Sequence, residues 1–391
     1  DNEDIWDQYA TIRAEELTQG GDGTAATAFY VENREEMDRG GEVSWEERKG
    51  NAESALQYAY NLRLRDEPAF MAEYQNDPLN EGDESPYDLN AEKIARRTVE
   101  ISRLNVPAEA EAITAFVDVQ KELLFYVVMS WTSKGRGFVM DYGTFPDQKR
   151  RYFTKADIRY KLSELPGVTE LSEAHYAGLE GVSQLIFERQ YVRADGAEMP
   201  VNIMAIDANW AQSTQTINRF CAESRYKGRL YASMGQYIGV NSKPWQKLAM
   251  GNRDQLGTHC RLQWSRTRRA RELMIDVNWW KTYVAERLIN PPGGDRSIVL
   301  FDAKPHEHRM FAEHCCAEDA VLAIGNAGNR LVEWRTNPGK PNNDYWDCLV
   351  GNACISSLVG VQAVADRSDE KTQPKRRAPT RGKAKRLGKV K

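Results

Sequence analysis

Three aspartates, Asp118, Asp207 and Asp347, stand where surface charge alone is a poor explanation. Asp118 lies inside Ala112–Trp131, AITAFVDVQKELLFYVVMSW, which reads as two strands of a hairpin rich in β-branched and aromatic residues. An acid within a buried strand is costly unless a cation or a hydrogen bond meets it. Asp207 closes the apolar strand Pro200–Ile206, and Asp347 falls in the first turn of the last helix. In a sheet whose first and fourth strands are neighbours, Asp118 and Asp207 lie side by side, and a helix packed across them brings in Asp347. Three close carboxylates repel one another unless a divalent cation neutralises them, and oxygen-only donors favour Mg²⁺ or Mn²⁺. Two such ions roughly 4 Å apart are a common means of phosphodiester hydrolysis. The structural alternative is that Asp207 caps the following helix and Asp347 is a helix N-terminal acid favoured by the dipole.

Asp344 precedes Asp347 by three residues, so a helix turns both the same way, with the small residues Gly351 and Cys354 further along for close approach to a sheet. It is either a further metal-binding carboxylate or the N-cap.

The elements that position these acids follow in order. Residues 1–80 are acidic and mostly helical in pattern, broken by Gln19–Thr24, with one helix over Trp45–Arg65. Ala91–Leu104 reads as a helix, Gly137–Tyr142 as a third strand and Lys155–Leu165 as a helix. Gln184–Arg193 reads as a strand and Ser213–Arg225 as an amphipathic helix. Leu230–Met234, Glu272–Val277, Ser297–Phe301 and Arg330–Trp334 are strand-like; Asn278–Asn290, His306–Cys316 and Asp344–Val364 are helix-like. Strands in a row followed by alternating strands and helices indicate an α/β domain with a mixed sheet and helices on its faces.

The 391 residues, 41% hydrophobic and 28% charged, fit a soluble protein with an ample core. No apolar run approaches a membrane span, and the chain begins with Asp, as a fragment or processed piece would. Six cysteines without paired spacing suggest reduced thiols in an intracellular setting. The net charge of −4 hides an asymmetry: Lys371–Lys391 holds ten Lys or Arg and no acid, leaving the rest at −14. Such a tail is expected to be disordered and to seek DNA or an acidic protein surface.

Other clusters carry less. His306, His308, His314, Cys315 and Cys316 fit no usual zinc spacing and suggest a helix with two His toward solvent and two Cys toward the core. Arg261–Arg271, RLQWSRTRRAR, interleaves base and aromatic in a way that suits a DNA backbone, through Arg261, Arg266, Arg268 and Arg269, or a solvated loop. Lys281 is placed to steady a phosphate, Asp276 to cap a helix, and Asp141 for a structural role.

The chain resembles the large subunit of tailed-phage terminases, in particular its carboxyl-terminal nuclease half. The resemblance rests on AEYQNDP at Ala72–Pro78, TAFVDVQ at Thr114–Gln120, MDYGTFPDQ at Met140–Gln148, MAIDAN at Met204–Asn209, LFDAKPHEHRMFAEH at Leu300–His314 and VEWRTNPGKPNNDYWDCLVGNA at Val332–Ala353, in family order. It implies an RNase H-like fold with three antiparallel strands then parallel ones, a two-metal site holding Mg²⁺ or Mn²⁺, and cutting of concatemeric double-stranded viral DNA in the host cytoplasm. It implies Asp118, Asp207 and Asp347 as catalytic acids, and the portal protein and small terminase subunit as partners. The family often has a His three residues before the last Asp, where this chain has Asp344. The phosphate-binding loop GxxxxGK[ST] of the family's ATPase motor does not occur in this chain. The expected organisation is a helical linker region over 1–108, a nuclease domain over 109–367 and a basic tail over 368–391. A nuclease-inactive DNA- or portal-binding assembly module, and another RNase H-like enzyme such as a resolvase or transposase, are the competing readings.

Removing Lys371–Lys391 is expected to weaken binding to DNA or to an acidic partner, most visibly at low salt, where charge contacts are least screened. Unchanged retention in a low-salt filter-binding assay would refute this role.

Overall fold

Side-chain alternation along Ala112–Val119 divides the molecule in two. Ile113, Ala115, Val117 and Val119 point into one apolar core and Phe116 into another, and all eight residues are buried in the computed structural model. The structure describes residues 3–18, 21–65, 70, 86–245, 255–265, 268, 270–326, 328–337, 339–340 and 342–361.

The strands are β1 (Asn105–Val106), β2 (Ala112–Val119), β3 (Leu124–Trp131), β4 (Gly137–Phe145), β5 (Val192–Arg193), β6 (Ile203–Asp207), β7 (Leu230–Gln236), β8 (Gln255–Gly257), β9 (Cys260–Ser265), β10 (Ala270–Asp276), β11 (Ile298–Leu300), β12 (Glu318–Ile324) and β13 (Arg330–Thr336). The helices are α1 (Glu3–Thr18), α2 (Thr24–Glu32), α3 (Arg34–Met37), α4 (Ala55–Arg65), α5 (Ala91–Ala95), α6 (Leu171–Glu188), α7 (Ala211–Glu223), α8 (Val277–Ile289), α9 (Arg309–Cys315) and α10 (Asp344–Ser356). Among the described residues nine strands form one mixed sheet, ordered β11-β4-β3-β2-β6-β7-β10-β9-β8. β2, β3 and β4 are an antiparallel meander; β6, β7 and β10 then run parallel to β2. This is the mixed sheet flanked by helices that the sequence implies for an RNase H-like nuclease. Helices α8, α9 and α10 cover one face, and α6 and α7 the other. In the amino-terminal region Trp6, Tyr9, Ala26, Tyr30, Met37 and Leu64 form a separate small core.

Helix α10 lies directly on β2 and β3 because its contact face is small and its polar groups are met. A Cβ on Gly351 would fall 2.1 Å from Phe116 Cδ2. Asn352 is fully buried; its amide donates to Val127 O (2.9 Å) and its carbonyl accepts from Thr114 Oγ1 (2.9 Å). Thr114 Oγ1 accepts in turn from Trp131 Nε1 at 2.8 Å. These paired polar groups fix the helix in one register, since any slide strands them without partners.

Several local expectations are corrected. The first half of Gln184–Arg193 is the end of α6, not a strand: Ala174, Gly178, Leu179, Val182 and Ile186 recur on one buried helical face, and only Val192–Arg193 pairs as a strand. Lys155–Leu165 holds two short 3₁₀ turns, Lys155–Asp157 and Leu162–Glu164, rather than a helix. The helix expected over Ala91–Leu104 stops at Ala95 because buried Arg97 donates to Ile298 O, Arg287 O and Asn290 O, and Thr98 bridges to Leu300. The helix expected from Trp45 begins at Ala55. That expected from His306 is a 3₁₀ turn followed by α9. The last helix ends at Ser356, and after a 3₁₀ turn Gly360 takes a left-handed φ of 94° that closes it. Arg330–Thr336 pairs with Glu318–Ile324, unforeseen as a strand, in a ribbon separate from the main sheet.

Gly351→Ala should push α10 off Phe116 and lower stability by about 1–3 kcal/mol, as overpacking does, read from the midpoint of urea unfolding. An unchanged midpoint would contradict the close helix–sheet contact.

Candidate metal centre

Strands β2 and β6 are parallel neighbours with Val117 opposite Ile206, so Asp118 and Asp207 are the next positions in register, at the carboxyl ends of both strands. Their parity is that of Phe116 and Ala205, which places both carboxylates on the α10 face. Asp118 is 3% exposed and accepts from Gln120 Nε2 at 2.7 Å. Asp207 accepts from the Asn209 backbone N–H at 3.3 Å.

The first turn of α10 supplies the other acids. Asp344 is fully buried, with Oδ1 2.6 Å from Lys155 Nζ, and Lys155 also donates to Gln120 Oε1 at 3.1 Å. A continuous polar chain thus runs Asp118–Gln120–Lys155–Asp344. Asp347 is more open; its Oδ2 accepts from Asn343 Nδ2 (2.9 Å) and its Oδ1 lies 3.5 Å from Lys281 Nζ. Lys281 donates to both oxygens of buried Glu318, at 2.5 and 2.6 Å, and Asn343 Nδ2 also reaches Glu318 Oε1 at 3.0 Å. Five carboxylates are therefore gathered around two ammonium groups.

Burial first, and that imbalance second, set the electrostatics. Burial holds the Asp118 carboxyl well above its usual range, and Asp344, Asp207 and Asp347 push it further. Asp207 is raised to about 6, chiefly by burial, against backbone hydrogen bonds that lower it. Asp347 is raised to about 7 by burial, with Lys281 opposing and Glu318, Asp207 and Asp344 adding to the rise. Burial alone would lower the Lys281 ammonium, but Asp347 and Glu318 overcome it and hold the pKa above its ordinary value. Burial lowers His314 to about 4, with Asp344 opposing, so its ring is neutral at pH 7. Its Nδ1 accepts from the Tyr345 N–H at 3.4 Å and stands 3.7 Å from Asp344 Oδ2.

The structure thus brings Asp118, Asp207, Asp344 and Asp347 to one place. Lys281, expected to face a phosphate, is instead buried and bound to Glu318, because α8 turns it inward toward the acids. Arg261 lies on β9 with its guanidinium over the Trp245 ring, 5.6 Å from the centroid. Arg268 pairs with Glu272 at 2.6 Å, while Arg266 and Arg269 fall outside the described residues, as do the AEYQNDP segment and the basic tail. The His and Cys cluster does not present two His to solvent: His308 and His314 are both buried, His308 between Tyr142 and Phe301 O, and only His306 is exposed. All six cysteines are free thiols. Asp276 caps α8 through Trp279 N and also meets His259 Nδ1 at 2.9 Å; Asp141 is buried between Arg103 and Arg189. Sequence reasoning missed Glu318, Lys155 and Gln120. Glu318 had one local signal, an acid opening the apolar alternation EDAVLAI; the other two had none beyond their polarity.

The donor set suits a hard divalent cation: every carboxylate is an oxygen donor, and the repulsion raising Asp118 is what such a cation would relieve. Among the described residues, however, no three His, Cys, Asp or Glu side chains are arranged to hold a metal ion. The chemistry of the residues fits the group, while their side-chain positions do not yet converge on it. No described helix is long and apolar enough to cross a membrane.

A family model for the terminase large subunit gpA, endonuclease domain, matches residues 52–368. That match starts within the amino-terminal helical region and ends beyond α10. No curated protein and no solved structure matches the chain significantly.

Asp207 takes up its proton near pH 6 when folded but near 3.8 when unfolded, so between these values the folded state binds more protons. The stability it contributes is therefore greatest at low pH and falls as pH rises from about 4 to about 6. In chelator, Asp207→Asn should melt with the wild type near pH 4 and a few degrees above it at pH 8. Equal melting temperatures at pH 8 would show that burying the Asp207 carboxylate carries no cost.

Proposed function

The chain belongs to the terminase large subunit endonuclease-domain family, and on that premise we propose that it cuts concatemeric double-stranded DNA during packaging at the Asp118–Asp207–Asp347 cluster. The single observation that supports this placement is the register of β2 and β6, which sets Asp118 beside Asp207 under the first turn of α10.

In this reading Asp118, Asp207 and Asp347 hold two Mg²⁺ or Mn²⁺ ions. Such ions would activate water and neutralise charge on the leaving oxygen. The chain's own residues set the geometry. Gln120 orients Asp118 through its amide, and Asn343 orients Asp347. Asp344 is buried against Lys155, which favours Asp347 over Asp344 as the acid facing DNA, with Asp344 fixing Lys155 and, through it, Gln120. Hydrolysis adds water across one phosphorus–oxygen bond, and no side chain serves as nucleophile. DNA, the portal protein and the small terminase subunit are the proposed partners, in the host cytoplasm.

A second reading, a DNA- or portal-binding assembly module without cutting activity, draws support from the two lysines that already engage Asp344, Glu318 and Asp347. Metal titration separates the two, since the module needs no Mn²⁺ at the acids.

Asp118→Asn should abolish Mg²⁺- and Mn²⁺-dependent plasmid cleavage and leave folding and DNA binding intact. Full Mn²⁺-dependent nicking by that variant would sink the assignment.

A further inference from the structure

Glu318, Lys281 and Asn343 come from three separate elements, the start of β12, helix α8 and the residue before α10. They converge on one oxygen pair. Lys281 Nζ lies 2.5 and 2.6 Å from the two Glu318 oxygens and 3.5 Å from Asp347 Oδ1. The Asn343 amide nitrogen bridges Glu318 Oε1 (3.0 Å) and Asp347 Oδ2 (2.9 Å). We propose that Glu318 is a positioning residue of the endonuclease site, retaining the Lys281 ammonium and, with Asn343, holding Asp347 ready for a divalent cation.

The geometry favours this role over the simpler idea that Glu318 is another ligand. Both of its oxygens are engaged by Lys281, and the ammonium is much closer to Glu318 than to Asp347. That asymmetry decides its effect. With Glu318 charged, two of the three Lys281 N–H groups go to it, and Asp347 Oδ1 is held only loosely, at 3.5 Å, where a cation can displace the ammonium. Without that charge, a buried ammonium keeps one carboxylate within reach, and it is Asp347. The ammonium then competes with the metal for the same oxygen. A purely structural Glu318 would instead lower stability and leave Mn²⁺ affinity the same in every folded variant.

This inference rests on the metal-nuclease reading, so the test measures Mn²⁺ binding directly, by calorimetry and by the spin-resonance signal of free Mn²⁺, with melting in chelator as a folding control. Glu318→Gln is expected to bind Mn²⁺ about tenfold more weakly, the low end of what outer partners of a metal ligand contribute. Glu318→Gln combined with Lys281→Met should recover most of the wild-type affinity, because the competing charge is gone. If Glu318→Gln does not fold, Asn343→Ala takes its place and should weaken Mn²⁺ binding several-fold at an unchanged melting temperature. Wild-type-like affinity in Glu318→Gln, or a double variant no better than the single one, overturns the positioning role alone. A wild-type protein that binds no Mn²⁺ overturns the nuclease reading and this inference with it.

Discussion

The constraint on which this molecule depends is the burial of like charges at the carboxyl ends of two adjacent parallel strands. Asp118 and Asp207 are placed there by backbone register, and α10 adds Asp344 and Asp347 from above. Removing carboxylates from water while crowding them is unfavourable unless cations accompany them. Lys155 and Lys281 supply part of the compensation from opposite sides, one tied to Asp344 and the other to Glu318 and Asp347. The excess of acid over base that remains is the reason the site suits further positive charge.

Holding that excess in place requires a rigid frame, which the sheet and α10 provide. The bare backbone at Gly351 lets the helix settle on Phe116. Asn352, Thr114 and Trp131 then join helix and strands through paired, fully buried polar atoms. A hydrophobic contact alone would tolerate a slide; this hydrogen-bond set does not. The repulsion within the site is therefore opposed by packing one turn further along α10 and two to four residues back on β2.

The amino-acid sequence determined the mixed sheet-and-helix class and the oddity of an acid in β2, but not the lateral order of the strands, nor β8 and β9, which read as a basic or solvated stretch. Strand alternation and helix starts are local patterns, so the strands beginning at Ala112 and Leu230 and the helix beginning at Asp344 were legible from residue spacing, though not where the last of them ends. The ordered motifs likewise pointed to the terminase endonuclease family that matches residues 52–368. Local windows failed where long-range contact overrides them: the Gln184–Arg193 window read as a strand until the buried face of α6 claimed half of it, and Arg97 ended α5 by binding carbonyls 190 and 201 residues away.

Only the tertiary structure decided which charges meet. Lys281 reads in sequence as a phosphate ligand, and Glu318 as one acid among 57 Asp and Glu. Their pairing, and Asn343 joining Glu318 to Asp347, exist because α8, β12 and the start of α10 cross at one point. Residue spacing along a chain carries no record of such a crossing, since it is fixed by how elements pack across the sheet. The same holds for Lys155, which becomes the counter-ion of Asp344 only once its turn is folded against α10.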